Sequence, residues 1–268
     1  MKNNIKNLVL STAAIMSTSV FAVDPDWNTN PFLEEETKQS KGVQIYSFSE
    51  KPNEFTKSAQ DQDYVKLANE TNTLGYSLVH STQIRNFDKL VAEYKDADKE
   101  FQRSLKSEIM RINSFSSKSQ SGIEQDISMQ STVNTARLDS VLNRKFVTIH
   151  KSIGGNFVPG KGWDQLSKIV KSPTLGTVII DIVNLESGIT LYMDADAINY
   201  YVNDNQGILY VLQDENGQAE TTLTWADEKN SYTIQLDRNV NIPSIKTEFE
   251  QLITSISENL VRMEALDR

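Results

Sequence analysis

Apolar positions recur every three or four residues from Asp63 to Phe115. Tyr64, Leu67 and Ala68 begin the run, Gly75 interrupts it, and Ile84, Phe87, Val91, Tyr94, Phe101, Leu105, Ile112 and Phe115 continue it. That spacing predicts helix. Asp98 and Glu108 occupy places the repeat skips, and burying either without a partner is costly, so the seam is expected to pack with wet gaps. Ser114 to Gly122 has the composition of a loop. Helical spacing then resumes through Ile123, Ile127, Val133, Leu138, Val141, Leu142, Phe146, Ile149 and Ile153, with Gly154-Gly155 expected to stop it. Two helices joined by a short polar loop predict an antiparallel helical hairpin within residues 63–155.

Residues 156–175 read as a connector: Pro159, Gly160 and Gly162 surround Trp163, and Leu166, Ile169 and Val170 suggest one short helix. From Gly176 the apolar period falls to two. Thr177 to Val183, Ile189 to Met193, Ile198 to Val202, Ile208 to Leu212, Thr221 to Ala226 and Ser231 to Leu236 read as strands, separated by Asp-, Asn- and Gly-bearing turns. Short strands with such turns predict an antiparallel meander. Pro243 suits the first turn of a closing helix, whose Ile245, Phe249, Leu252, Ile256, Leu260 and Met263 share one face. That face is expected to cover the sheet against Leu223, Trp225, Tyr232, Ile234 and Leu236. The predicted fold class is therefore α+β: an N-terminal helical hairpin, then an antiparallel β-meander covered by a C-terminal amphipathic helix over residues 176–268. Deleting Asp63 to Ile153 is expected to leave a folded sheet domain.

The closing pattern of Leu223-Thr224-Trp225, an acidic turn, Tyr232-Thr233-Ile234 and an amphipathic helix resembles the final strands and helix of curved-sheet envelope proteins that carry lipoproteins or sense stress. The likeness covers only the last third of the chain. It rests on a generic hairpin and helix and assigns no family.

The first residues add an address. Lys2 and Lys6 precede an apolar run from Leu8 to Val20, and Val20-Phe21-Ala22 supplies small residues for cleavage, so residues 1–22 read as a secretory signal peptide. The run is too short and too rich in Ser and Thr for a membrane span. Residues 23–62, with Pro25, Pro31, Pro52 and Glu34-Glu35-Glu36, read as an extended arm or linker, in which Val43 to Phe48 alternates weakly enough for one short strand. Removing Lys2 and Lys6 moves the formal charge from -9 to -11. An acidic chain argues against nucleic acid and anionic lipid as partners. With no cysteine the chain has neither disulfides nor thiolate chemistry, and no lipobox follows Ala22, so no membrane anchor is expected after cleavage. The expected location is periplasmic or secreted.

Candidate chemistry is sparse. His80 and His150 are the two histidines, and neither lies in a zinc-binding spacing. Neither a G-x-S-x-G elbow nor a phosphate-cradling glycine loop is present. Asp194 with Asp196 and Asp61 with Asp63 are carboxylate pairs of the kind glycoside hydrolysis needs, yet acidic chains produce them freely. Asp194-Ala195-Asp196 and Asp204-Asn205-Gln206-Gly207 are oxygen-rich turns that do not complete a calcium loop. Catalytic residues, cofactors and metals are therefore not expected. Aromatics remain, and Trp163, Tyr192, Tyr200, Tyr201 and Trp225 are the candidate partner or ligand surface. The leading expectation is an exported, non-enzymatic interaction protein of the bacterial envelope or secretome that binds a protein partner. Two alternatives are a carrier or sensor of an apolar ligand held between sheet and C-terminal helix, and a hydrolase using a carboxylate pair.

Overall fold

A computed structural model describes residues 42–46, 59–115, 135–142, 145–158, 162–187 and 190–261. The predicted signal peptide, most of the arm and the loop joining the two predicted helices lie outside them. The described chain is mixed α+β, with four α-helices and a large, mostly antiparallel sheet.

The strands are β1 (Gly42–Tyr46), β2 (Ser77–Leu78), β3 (Val147–Val158), β4 (Gly162–Ser172), β5 (Gly176–Asn184), β6 (Thr190–Asp194), β7 (Tyr200–Val202), β8 (Asn205–Gln213), β9 (Ala219–Ala226) and β10 (Asn230–Leu236). The helices are α1 (Ala59–Leu74), α2 (Phe87–Phe115), α3 (Thr135–Leu142) and α4 (Pro243–Val261). The large sheet runs β2-β8-β9-β10-β5-β4-β3, with β7 also on β8. It is two three-strand meanders, β8-β9-β10 and β5-β4-β3, joined by the antiparallel pair β10 and β5. The expected meander over residues 176–268 is corrected in part: β6 leaves that sheet and pairs in parallel with β1, and β5 pairs with β10 and β4 instead of β6.

β5 lies inside the sheet, between β10 and β4, because its sequence is largely apolar on both faces. Val178, Ile180 and Ile182 point to one side with Leu166 and Val170 of β4, Ile234 and Leu236 of β10, and Leu223 and Trp225 of β9. Ile245, Phe249, Leu252, Ile253 and Ile256 of α4, with Leu138 and Leu142 of α3, close over that side. These side chains are nearly all under a tenth exposed, and each fully buried one contributes roughly 1.5–3 kcal/mol. The opposite side is mixed. There Ile179 and Ile169 meet Phe87, Leu90 and Tyr94 of α2, while Ser167, Asp181 and Thr233 form a polar row across three strands.

α1 closes the free stretch of β8 between β2 and β7. Thr71 Oγ1 accepts from Val211 N at 2.9 Å, and the Asn199 amide both accepts from Leu209 N and donates to Leu209 O, each at 2.8 Å. Side chains thus satisfy backbone groups that a bare edge would leave open. Gly75 ends α1 with φ 83°, the left-handed position that terminates a helix, and its N–H returns to Thr71 O.

Four further expectations are corrected. The helical reading through Ile153 fails beyond Leu142, because residues 147–158 form edge strand β3. Register shifts at Thr148/His150 and Gly154/Phe157 break the strand's alternation. Phe146 and Ile153 pack in the core with α4 whereas Ile149 packs on the opposite side with α2, so a bulged strand apolar on both faces imitates the spacing of a helix. Gly154-Gly155 does not stop a helix but sits at the second shift, where Gly155 takes φ 84° and a Cβ would overlap Asp164 Oδ1.

The connector with a short helix at 156–175 is instead dominated by β4. Its core face reads Leu166, Lys168, Val170, and Lys168 is only 1% exposed. A lysine in the inward register hides the alternation, since lysine is ordinarily a surface residue. Its Nζ pairs with Asp139 of α3. The third correction concerns the sheet's beginning, which is Val147 rather than Gly176. Leu138, Leu142, Phe146 and Ile153 also belong to the same core as α4. Deleting 63–153 would remove part of that core, so the expectation of an independent sheet is reversed. Residues 116–134, the rest of the expected loop and the start of the second expected helix, lie outside the described residues.

Candidate functional site

An open cleft lies beside the small parallel sheet. β1 and β6 pair Val43 with Leu191 and Ile45 with Met193, so alternate residues share one face. Val43, Ile45 and Met193 from that face meet Tyr201 of β7, the start of β8 at Asn205 and Gln206, and the β9–β10 turn at Ala226, Asp227 and Glu228. Asp204 completes the lining of an open cleft of about 580 Å³. Ile45 is 44% and Tyr201 62% exposed. Large apolar side chains left in water beside a concavity mark a binding surface. Leu74 and Leu78 are more exposed still, but neither lines a described cleft.

Local chemistry builds the two turns at the rim. In the β7–β8 hairpin, Asn203 takes φ 52°, which asparagine tolerates, and its amide donates to Ser257 Oγ of α4 at 2.5 Å. In the β9–β10 turn, Asp227 Oδ1 accepts from Lys229 N and Asn230 N, and Oδ2 accepts from Tyr232 OH at 2.7 Å. Burial, reinforced by Asp227, pushes the Tyr232 phenol upward, so it stays a donor. Asp227 is therefore structural, whereas Asp204 and Glu228 are exposed carboxylates of the rim.

The five aromatic candidates divide. Trp225 is 1% exposed and stacks on Tyr232, ring centroids 4.7 Å apart, inside the core. Trp163 is buried edge-on to Phe101 of α2 at 5.0 Å. Tyr200 is partly covered in a separate groove of about 330 Å³ between α1, β7–β8 and α4, with its phenol pushed up by burial and by Glu250. Tyr192 is exposed, but its register with Gln44 places it on the opposite face of the small sheet from Met193. Only Tyr201 enters the cleft.

Sequence reading missed the charged network beneath α2. Arg85 Nε donates to Glu220 Oε1 at 2.7 Å, its N–H to Oε2 at 3.0 Å, and Nη1 to Gln235 Oε1 at 3.0 Å. Burial opposes the Arg85 cation, yet Glu220 more than offsets it and the net direction is up. Nearby, Tyr94 OH donates to Asp181 Oδ2 at 2.9 Å and Ser167 Oγ to Oδ1 at 2.5 Å. Burial raises the Asp181 carboxyl above its ordinary value, while these two donors and Arg85 pull it back. The Tyr94 phenol is pushed up, first by burial and then by Asp181. The available signal was Asp181 itself, an acid inside the apolar run Thr177 to Val183. Neither Asp181 nor Glu220 lines a described cleft, and both oxygens of each carboxylate are engaged. The network fastens α2 and the segment before it to the sheet.

The other candidates have local roles. Asp194 Oδ1 accepts from Asp196 N at 3.0 Å to cap a 3-10 turn at Ala195–Ala197. His80 Nδ1 accepts from Thr82 N, and Gln83 returns a bond to His80 N, capping the turn at Ser81–Gln83. His150 Nε2 lies 3.7 Å from Asp98 Oδ2, and burial lowers its pKa against the pull of Asp98. Among the described residues no group of three or more His, Asp or Glu is placed to hold a metal, and no helix is long and apolar enough to cross a membrane.

Fold and cleft together define a mixed α+β protein with a large sheet, a filled core under α4, and an open cleft of mixed polar and apolar lining beside the β1–β6 pair. No family model, curated protein or solved structure matches the chain.

Proposed function

We propose that this is an exported, non-enzymatic interaction protein of the bacterial envelope or secretome, binding a protein partner at the β1–β6 cleft. The observation carrying this reading is the pairing of exposed Ile45 and Tyr201 with Val43 and Met193 in one open concavity. The polar side chains held inside the fold serve folding instead, as caps, turns and the Arg85 and Asp181 networks. The space between the sheet and α4 is occupied by Phe249, Leu252, Ile253 and Ile256, so partner binding is better supported than carriage of an apolar ligand there. Export rests on Lys2, Lys6 and the run from Leu8 to Val20.

The test is crosslinking of the mature protein in an intact cell envelope, comparing wild type with Ile45→Asp and Tyr201→Asp. Loss of a discrete crosslinked band in both variants, with unchanged melting, supports the cleft. An identical set of bands in all three proteins removes it as the partner site. Native mass spectrometry of the purified protein checks the competing idea, which a co-purifying apolar ligand would favour.

A further inference from the structure

Lining charge separates the described clefts. The groove between α3 and α4, about 360 Å³, carries Lys145 with Glu248, and the groove holding Tyr200 carries Lys246 with Glu250. Among the described residues, the lining of the β1–β6 cleft carries Asp204, Asp227 and Glu228 and no basic side chain. Its charged groups there have one sign beside apolar Val43, Ile45 and Tyr201, within a chain of formal charge -9. Asp227 is spent on the β9–β10 turn, but no ion pair joins Asp204 or Glu228 to the other described residues. A basic group reaching the rim gains two carboxylates and loses no internal pair. Beside it, the exposed Tyr201 ring offers a face for a cation, and exposed Ile45 with half-buried Val43 offers apolar surface backed by buried Met193.

We propose that the cleft takes an extended peptide segment bearing lysine or arginine beside apolar side chains. This rests on the partner-binding reading above and specifies the partner's chemistry. A concavity of about 580 Å³ is larger than a single side chain needs. β1 and β6 run parallel along one side of it, an extended framework beside which an extended segment can lie. Phosphate-bearing surfaces are disfavoured by the same carboxylates that favour the basic segment.

The experiment is fluorescence anisotropy on the full mature chain with a fluorescein-labelled octapeptide of alternating lysine and leucine. Octapeptides alternating glutamate with leucine and lysine with serine are the controls. The lysine–leucine peptide is expected to bind, to weaken at least tenfold against the double variant Asp204→Asn/Glu228→Gln, and to weaken again as salt is raised. Tyr201→Ser should weaken it as well, while circular dichroism shows each variant still folded. Equal affinity for wild type and the double variant overturns the proposal, as does lysine–serine binding as tight as lysine–leucine. If envelope crosslinking still depends on Tyr201 while the peptide ignores both carboxylates, the basic segment falls and partner binding stands. If crosslinking ignores both Ile45 and Tyr201, the partner reading itself falls.

Discussion

Lys168 is 2% exposed at its side chain and reaches Asp139, which keeps 35% of its own surface. Two substitutions at this pair should act in different ways. Asp139→Asn leaves the ammonium buried without its counter-charge. Breaking a fully buried pair from one side costs about 3–5 kcal/mol, but water reaches this pair past Asp139, so we expect ~2 kcal/mol. Lys151, 3.6 Å from the same carboxylate and one-third exposed, can turn to solvent and adds little. For a chain of this size that loss corresponds to a melting temperature lower by roughly 4–8 °C. Lys168→Met keeps the length of the side chain and removes the charge, so it should be neutral within ~1 kcal/mol or stabilising. The assay is urea and thermal unfolding followed by far-UV circular dichroism and by the fluorescence of buried Trp163 and Trp225. The reasoning is refuted if Asp139→Asn melts like wild type while Lys168→Met loses more than ~2 kcal/mol, which would mean the ammonium is solvated and α3 does not cover β4.

Two other perturbations follow from the fold. Gly155→Ala forces a Cβ onto a backbone at φ 84° and against Asp164, so it should cost at least ~2 kcal/mol; Gly154→Ala, whose Cβ meets nothing within 4 Å, should change stability by less than ~0.5 kcal/mol. Equal urea midpoints for the two variants would contradict the second register shift in β3. Burial raises the Asp181 carboxyl in the folded state, so the folded chain holds this proton more tightly than the unfolded one. Its contribution is fully present below the ordinary aspartate value and is lost as pH rises from about 4 through the raised folded value. Asp181→Asn should flatten that part of the stability–pH curve measured by urea unfolding, and a decline of unchanged slope would argue against the shift.

The strands after Gly176 were legible because each alternates, or is apolar throughout, between turn residues whose chemistry is local: Asp214 bonds Asn216 N, and Asp227 bonds Lys229 N. α4 was legible for the same reason, since Pro243 and one apolar stripe need no knowledge of the rest of the chain. β3 and β4 were not. Bulges scrambled the period of β3, and in β4 a lysine took an inward position that only Asp139, 29 residues earlier, makes tolerable. The aromatic candidates could not be sorted by sequence: Trp225 and Tyr201 both looked like binding residues, and strand register sent one into the core and the other to a cleft.

Sequence alone determined the α+β class, the closing helix, the acidic charge and the lack of cysteine chemistry, because periodicity and composition act over a few neighbouring residues or over the whole chain at once. Tertiary structure alone decided that β10 meets β5, that Arg85 finds Glu220, and that β1 reaches β6 to wall a cleft with Tyr201 and Glu228. Those pairings join positions from about 50 to about 150 residues apart, and their worth depends on register and burial that exist only once the sheet has closed.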